Sequence, residues 1–91
     1  MAPKILIPTA LKQYTGQKDT FQIDGKSVGE VLARLTTDFS TLKQHLYGAD
    51  GKLRSFVNVY VNDEDIRFLQ GDQTAVKNGD EVSIIPAIAG G

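Results

Sequence analysis

Residues 81–91 read Glu81-Val82-Ser83-Ile84-Ile85-Pro86-Ala87-Ile88-Ala89-Gly90-Gly91. A β-prone run is closed by a proline and followed by a short, slim, uncharged arm. The arm's only reactive group is the α-carboxylate of Gly91. Its two glycines carry no side chain, so it can thread a passage too narrow for any other residue. Five extended residues reach about 17 Å at ~3.4 Å each, enough to carry a carboxylate deep into another protein's active site. The plain alternative is a frayed terminus. A terminal Gly-Gly arises by chance in roughly one chain in 200, so its meaning depends on the body in front of it.

That body reads as a strand, a strand, a helix, a short helix and three further strands. Lys4-Ile5-Leu6-Ile7 is a strand whose consecutive apolar residues predict burial on both faces. Thr20-Phe21-Gln22-Ile23 alternates and forms the second strand of a hairpin with a long connection. Ser27-Val28-Gly29-Glu30 is a capping box, with the Ser27 hydroxyl and the Glu30 carboxylate each serving the other's amide. The helix it opens places Val28, Val31, Leu32, Leu35 and Phe39 on one stripe. Gly29, in its first turn, marks a close approach. Residues 42–47 allow another helical turn, which Gly48-Ala49-Asp50-Gly51 breaks.

Phe56 to Asn62 is the clearest strand, with Val57, Val59 and Val61 facing the core and Phe56, Asn58, Tyr60 and Asn62 facing away. Asn62-Asp63-Glu64-Asp65 reads as an acidic turn, Ile66-Arg67-Phe68 as a short strand, and Asn78-Gly79 as a tight turn suited to positive φ. The final strand runs from Glu81 to Ile85. The helix must then cross one face of a single sheet. With the first and last strands central and parallel, this is an α+β chain with a β-grasp (ubiquitin-like) mixed sheet. Residues 1–86 form the β-grasp domain and 87–91 a flexible, extended C-terminal tail. The sheet's other face is partly open and displays Tyr60 with Phe56 and Phe68.

Composition narrows the function. Ninety-one residues with a net charge of -1 make one small domain. No basic run or stripe points to nucleic acid, and no apolar stretch approaches the ~20 residues of a membrane span. Met1 to Pro8 turns polar too quickly for a secretory signal, so the expected location is the cytoplasm. The chain has no cysteine, which removes disulfides, a thiol nucleophile and thiolate metal ligands. His45 is the only histidine, so a zinc site is not expected. Asp63-Glu64-Asp65 lacks the further ligands of a calcium loop and reads as a solvated turn. Gly25-Lys26-Ser27 lacks the upstream spacing of a Walker motif. With no nucleophile-base pair either, the chain reads as a non-enzyme that binds no cofactor.

Phe56 through Phe68 (FVNVYVNDEDIRF) and Asn78 through Gly91 (NGDEVSIIPAIAGG) resemble the ubiquitin-like sulfur-carrier proteins of the ThiS/MoaD type, and the likeness covers essentially the whole chain. Within that family it is nearest to the carriers that deliver sulfur for cysteine synthesis. Molybdopterin-type carriers often have a Pro-Pro pair before the tail; here Pro86 follows Ile85. The resemblance implies that an E1-like adenylating enzyme, using ATP and Mg²⁺, activates the Gly91 carboxylate. A sulfur donor then converts it to a thiocarboxylate. The implied acceptor is a pyridoxal-phosphate (PLP)-dependent cysteine synthase, and the implied releasing enzyme a JAMM-type zinc peptidase. On this reading Gly91 carries the sulfur and Gly90 keeps the approach narrow. Ala87, Ile88 and Ala89 line the arm's contact with a partner channel. Phe56, Tyr60, Arg67 and Phe68 are candidates for docking. Two other functions share the tail: carriage of sulfur to molybdopterin or thiamin thiazole, and conjugation through Gly91 as a protein modifier. A plain interaction module with an incidental Gly-Gly end is a further alternative.

Overall fold

The computed structural model describes residues 2–54 and 57–86. Its strands are β1 (Lys4–Leu6), β2 (Thr20–Gln22), β3 (Val57–Val61), β4 (Glu64–Asp65) and β5 (Glu81–Pro86), and its α-helices are α1 (Val28–Asp38) and α2 (Ser40–Leu46). Short 3₁₀ turns span Thr9–Tyr14, Ile66–Phe68 and Gly71–Gln73. The five strands form one mixed sheet in the order β2-β1-β5-β3-β4. β1 runs parallel to β5 and antiparallel to β2, while β5 and β4 flank β3 antiparallel. This is the β-grasp arrangement, with the first and last strands side by side in the middle.

One face of the sheet carries the core. Ile5, Val59, Val82 and Ile84 point at Val28, Val31, Leu32 and Leu35 of α1 and at Leu42 and Leu46 of α2, all essentially sealed from water. The helix stripe closes with Phe39, which packs against the core from its edge. β1 departs from the expectation of burial on both faces. Ile5 is buried, but Leu6 is only half-buried. Both helices cover the same side, so a central strand here has one dry face.

The capping box forms by half. The Ser27 hydroxyl accepts from the Glu30 amide at 3.2 Å, but the Glu30 carboxylate turns outward to Arg34, 3.8 Å away and one helical turn on. The Ser27 backbone instead forms a bridge to Ala75, flanked by Val28 N–H donating to Thr74 O and Val76 N–H donating to Lys26 O, both at 3.0 Å. Segment 74–76 thus stitches the helix start to the rest of the molecule. A Cβ on Gly29 would stand 3.1 Å from the Asp72 carbonyl oxygen, which explains a glycine where α1 meets the Gly71–Gln73 turn.

The stretch after β3 differs from the sequence reading. The turn is confined to Asn62 and Asp63, both at positive φ (51° and 73°), as a two-residue hairpin with right-handed twist requires. Glu64 and Asp65 are β4 itself. Ile66-Arg67-Phe68 is a 3₁₀ turn and not a strand, because the Asp65 carboxylate accepts the Arg67 amide at 2.9 Å and curls the chain.

Candidate functional site

β5 ends at Pro86, directly before residues 87–91. Pro86 is opposite Val57 in the β3–β5 register, so Val57 marks the root of residues 87–91. Two arginines are anchored on that same residue. Val57 N–H donates to the Arg54 carbonyl oxygen at 3.0 Å. The Arg67 guanidinium reaches back from the far side of β4, donating to Val57 O at 3.5 Å and to the Asn58 side-chain oxygen. Arg67 also pairs with Asp65 at 3.8 Å. The Arg54 guanidinium donates twice to Gln44 O, at 3.2 and 3.0 Å, fixing it against the end of α2.

Beside this root lies an open cleft of ≈ 540 Å³ between the loop after α2, β3 and the two later 3₁₀ turns. Leu53, Val57, Val59 and Ile66 supply its apolar wall, and Lys52, Arg54 and Arg67 its cations. Among the described residues Asp72 is the one acid lining it, and Tyr47 lines it too. Burial pushes the Tyr47 phenol above its ordinary value, and the Asp72 carboxylate adds to that, so Tyr47 presents a neutral hydroxyl at physiological pH.

The uncovered sheet face holds Tyr60 opposite Ser83 and Asn58 opposite Ile85. Ile85 is 49% exposed and Tyr60 half-buried. Of the proposed docking residues, Tyr60 therefore lies on the open face as expected, and Arg67 extends to the same strand through Asn58. Phe68 is 86% exposed, but it belongs to the 3₁₀ turn beyond β4, so no strand register ties it to Tyr60. Phe56 and the arm residues Ala87, Ile88, Ala89, Gly90 and Gly91 lie outside the described residues.

His45 is exposed and stacks on Tyr14 with ring centroids 4.2 Å apart. Among the described residues no group of His, Asp and Glu is gathered as a metal site, and no helix is long and apolar enough to cross a membrane. Sequence reasoning passed over Arg54 and the cleft. The signal available was Lys52-Leu53-Arg54, two cations around an apolar residue just before the clearest strand.

Known proteins resemble this chain in sequence and in fold. Sulfur carrier protein CysO of Mycobacterium tuberculosis is 43% identical over 89 residues, 96% of each chain. The small archaeal modifier protein 3 of Haloferax volcanii is 35% identical over 82 residues, 88% of each. A chain in the crystal structure of the Amycolatopsis orientalis BexX/CysO complex superposes with a TM-score of 0.89 at 40% identity, covering 99% of this chain and 100% of that one. The profile of the ThiS family matches residues 5–91, and the chain belongs to that family.

Proposed function

We propose that this protein is a sulfur carrier, working in the cytoplasm, whose Gly91 carboxylate is the working group. Residues 1–86 are the recognised body and 87–91 the delivered arm. A carboxylate is a poor electrophile, since its charge is delocalised and its leaving group would be oxide. An E1-like partner using ATP and Mg²⁺ forms the acyl-adenylate and releases pyrophosphate. A sulfur donor then attacks the acyl carbon, AMP departs, and Gly91 ends in a thiocarboxylate. Its ionised sulfur is a soft nucleophile on a narrow arm. The acceptor proposed is an aminoacrylate on a PLP-dependent cysteine synthase, with a JAMM-type zinc peptidase releasing the cysteine. Catalytic groups and cofactors belong to those partners. The carrier itself contributes shape and reach.

The observation that carries this reading is the 43% identity to a sulfur carrier protein across nearly the whole chain. It is supported by β5, which runs from the sheet centre to Pro86, directly before the arm. The test is intact mass after incubation with the activating enzyme, ATP, Mg²⁺ and sulfide. The expected gain is the replacement of one oxygen by sulfur. Adding a residue after Gly91, or changing Gly90→Leu, abolishes the gain while the fold persists. An unimpaired gain on the extended chain overturns the role of the terminus.

A second reading, conjugation through Gly91 to lysines of other proteins, is favoured by the 35% identity to a small archaeal modifier protein. Isopeptide-linked Gly-Gly remnants on cellular lysines would identify it.

A further inference from the structure

We propose that the cleft beside the start of β3 is a resting site for the chain's own residues 87–91, with the Gly91 carboxylate held by Arg54, Arg67 and Lys52. Three observations carry it. The first is position: Pro86 pairs with Val57, and Val57 is both a wall of the cleft and the anchor of the two arginines. The arm therefore leaves the sheet at the cleft's edge. The second is reach: five residues extend at most about 17 Å, and Val57, opposite Pro86, is itself a wall of the cleft, so the cleft lies within the arm's span.

The third is chemistry. Ala87, Ile88 and Ala89 are apolar and the arm bears a single negative charge at its tip. The cleft matches this with an apolar wall and three cations against one acid, Asp72. Both guanidinium groups are already fixed, Arg54 on Gln44 and Arg67 on Asp65 and Asn58, so little side-chain entropy remains to be lost on docking. Tethering adds an effective concentration in the mM range for a short flexible linker. A weak contact, screened by salt, therefore suffices for docking and still allows release to a partner.

On the sulfur-carrier reading, this has a use. A thiocarboxylate bears the same charge at the same place, and the cleft's cations would hold it against the body between donor and acceptor. That clause rests on the proposed function; the docking itself does not, because the unmodified carboxylate has the same charge and reach.

NMR on the unmodified full-length chain tests it without any activating enzyme. Heteronuclear relaxation of Gly90 and Gly91 is expected to show restricted motion at low salt. Deleting 87–91 is expected to shift the Tyr47 ring and Ile66 methyl resonances, which line the cleft but belong neither to β5 nor to the strands paired with it. Arg54→Gln with Arg67→Gln should free the tip, and about 1 M NaCl, where the Debye length falls to about 3 Å, should do the same with no substitution. Unrestricted Gly91 in wild type, with Tyr47 and Ile66 unmoved by the deletion, overturns the proposal. So does restriction that survives both the arginine changes and the salt. Failure here leaves the mass-gain test of sulfur loading untouched, and failure there leaves this one untouched.

Discussion

Asp80 shows how a single buried carboxylate sets the start of β5. Its Oδ2 accepts the Lys77 amide at 3.0 Å, and its Oδ1 accepts the Asn62 amide nitrogen at 2.9 Å and the Lys77 ammonium at 3.3 Å. The Asn62 oxygen in turn accepts the Glu81 amide at 3.0 Å. The turn after β3 is thereby locked to the turn before β5. The Asn62 hydrogen bond, helped by the Lys77 amide and ammonium, holds the Asp80 pKa below the usual carboxylate value against the opposing effect of burial. A depressed folded-state pKa adds stability that is fully present above the unfolded value, about 3.9 for Asp. That stability is lost as pH falls through the folded value. Asp80→Ala is expected to cost about 1–3 kcal/mol at neutral pH by stranding its donors. The gap from wild type should narrow on acidification below pH ~4. Urea unfolding at neutral and acid pH measures both. The Asn78-Gly79 turn was legible locally, with Gly79 at φ 93°. The Asn62 partner was not, because it lies 18 positions away and only the sheet brings it near.

At the level of elements, the signals that held are those with a short-range mechanism. The Ser27 cap and the stripe of α1 need only neighbours three or four positions away, and both formed. Ser27→Ala should lower stability by about 1 kcal/mol. Gly29→Val should cost about 1–3 kcal/mol, since its Cβ meets the Asp72 carbonyl oxygen, a backbone atom that cannot swing aside. Thermal unfolding of the two variants checks these values. Ile66-Arg67-Phe68 misled because its apolar–polar–apolar alternation imitates a strand. The deciding contact is the Asp65 carboxylate on the Arg67 amide, and sequence alternation does not encode which way a carboxylate turns. Phe68→Ser, at an exposed position, should change stability by less than about 0.5 kcal/mol. If Phe68 docks a partner, the same variant weakens that complex in a binding assay, whereas an idle Phe68 leaves the affinity unchanged.

Across the whole molecule, the central parallel pairing of the first and last strands and the helix-covered face were readable from β-prone runs separated by one capped helix, because few topologies bury all of those apolar faces at once. The cleft was not readable. It arises where the loop after α2 and the turns after β4, separate in sequence, close on the start of β3. The open sheet face was legible in part: Tyr60 followed from alternation, while the guanidinium of Arg67 reached β3 by crossing a hairpin.

The parallel pairing of β1 with β5 also governs how the molecule bears tension. A partner pulling on the segment after Pro86, against resistance at the opposite terminus, draws these two strands past each other along their length. Lys4, Ile5 and Leu6 face Glu81, Val82 and Ser83 across that seam, so its bonds carry the load together in shear and do not peel one at a time. The sheet can thus serve as a stiff handle, resisting tension along that direction without unravelling.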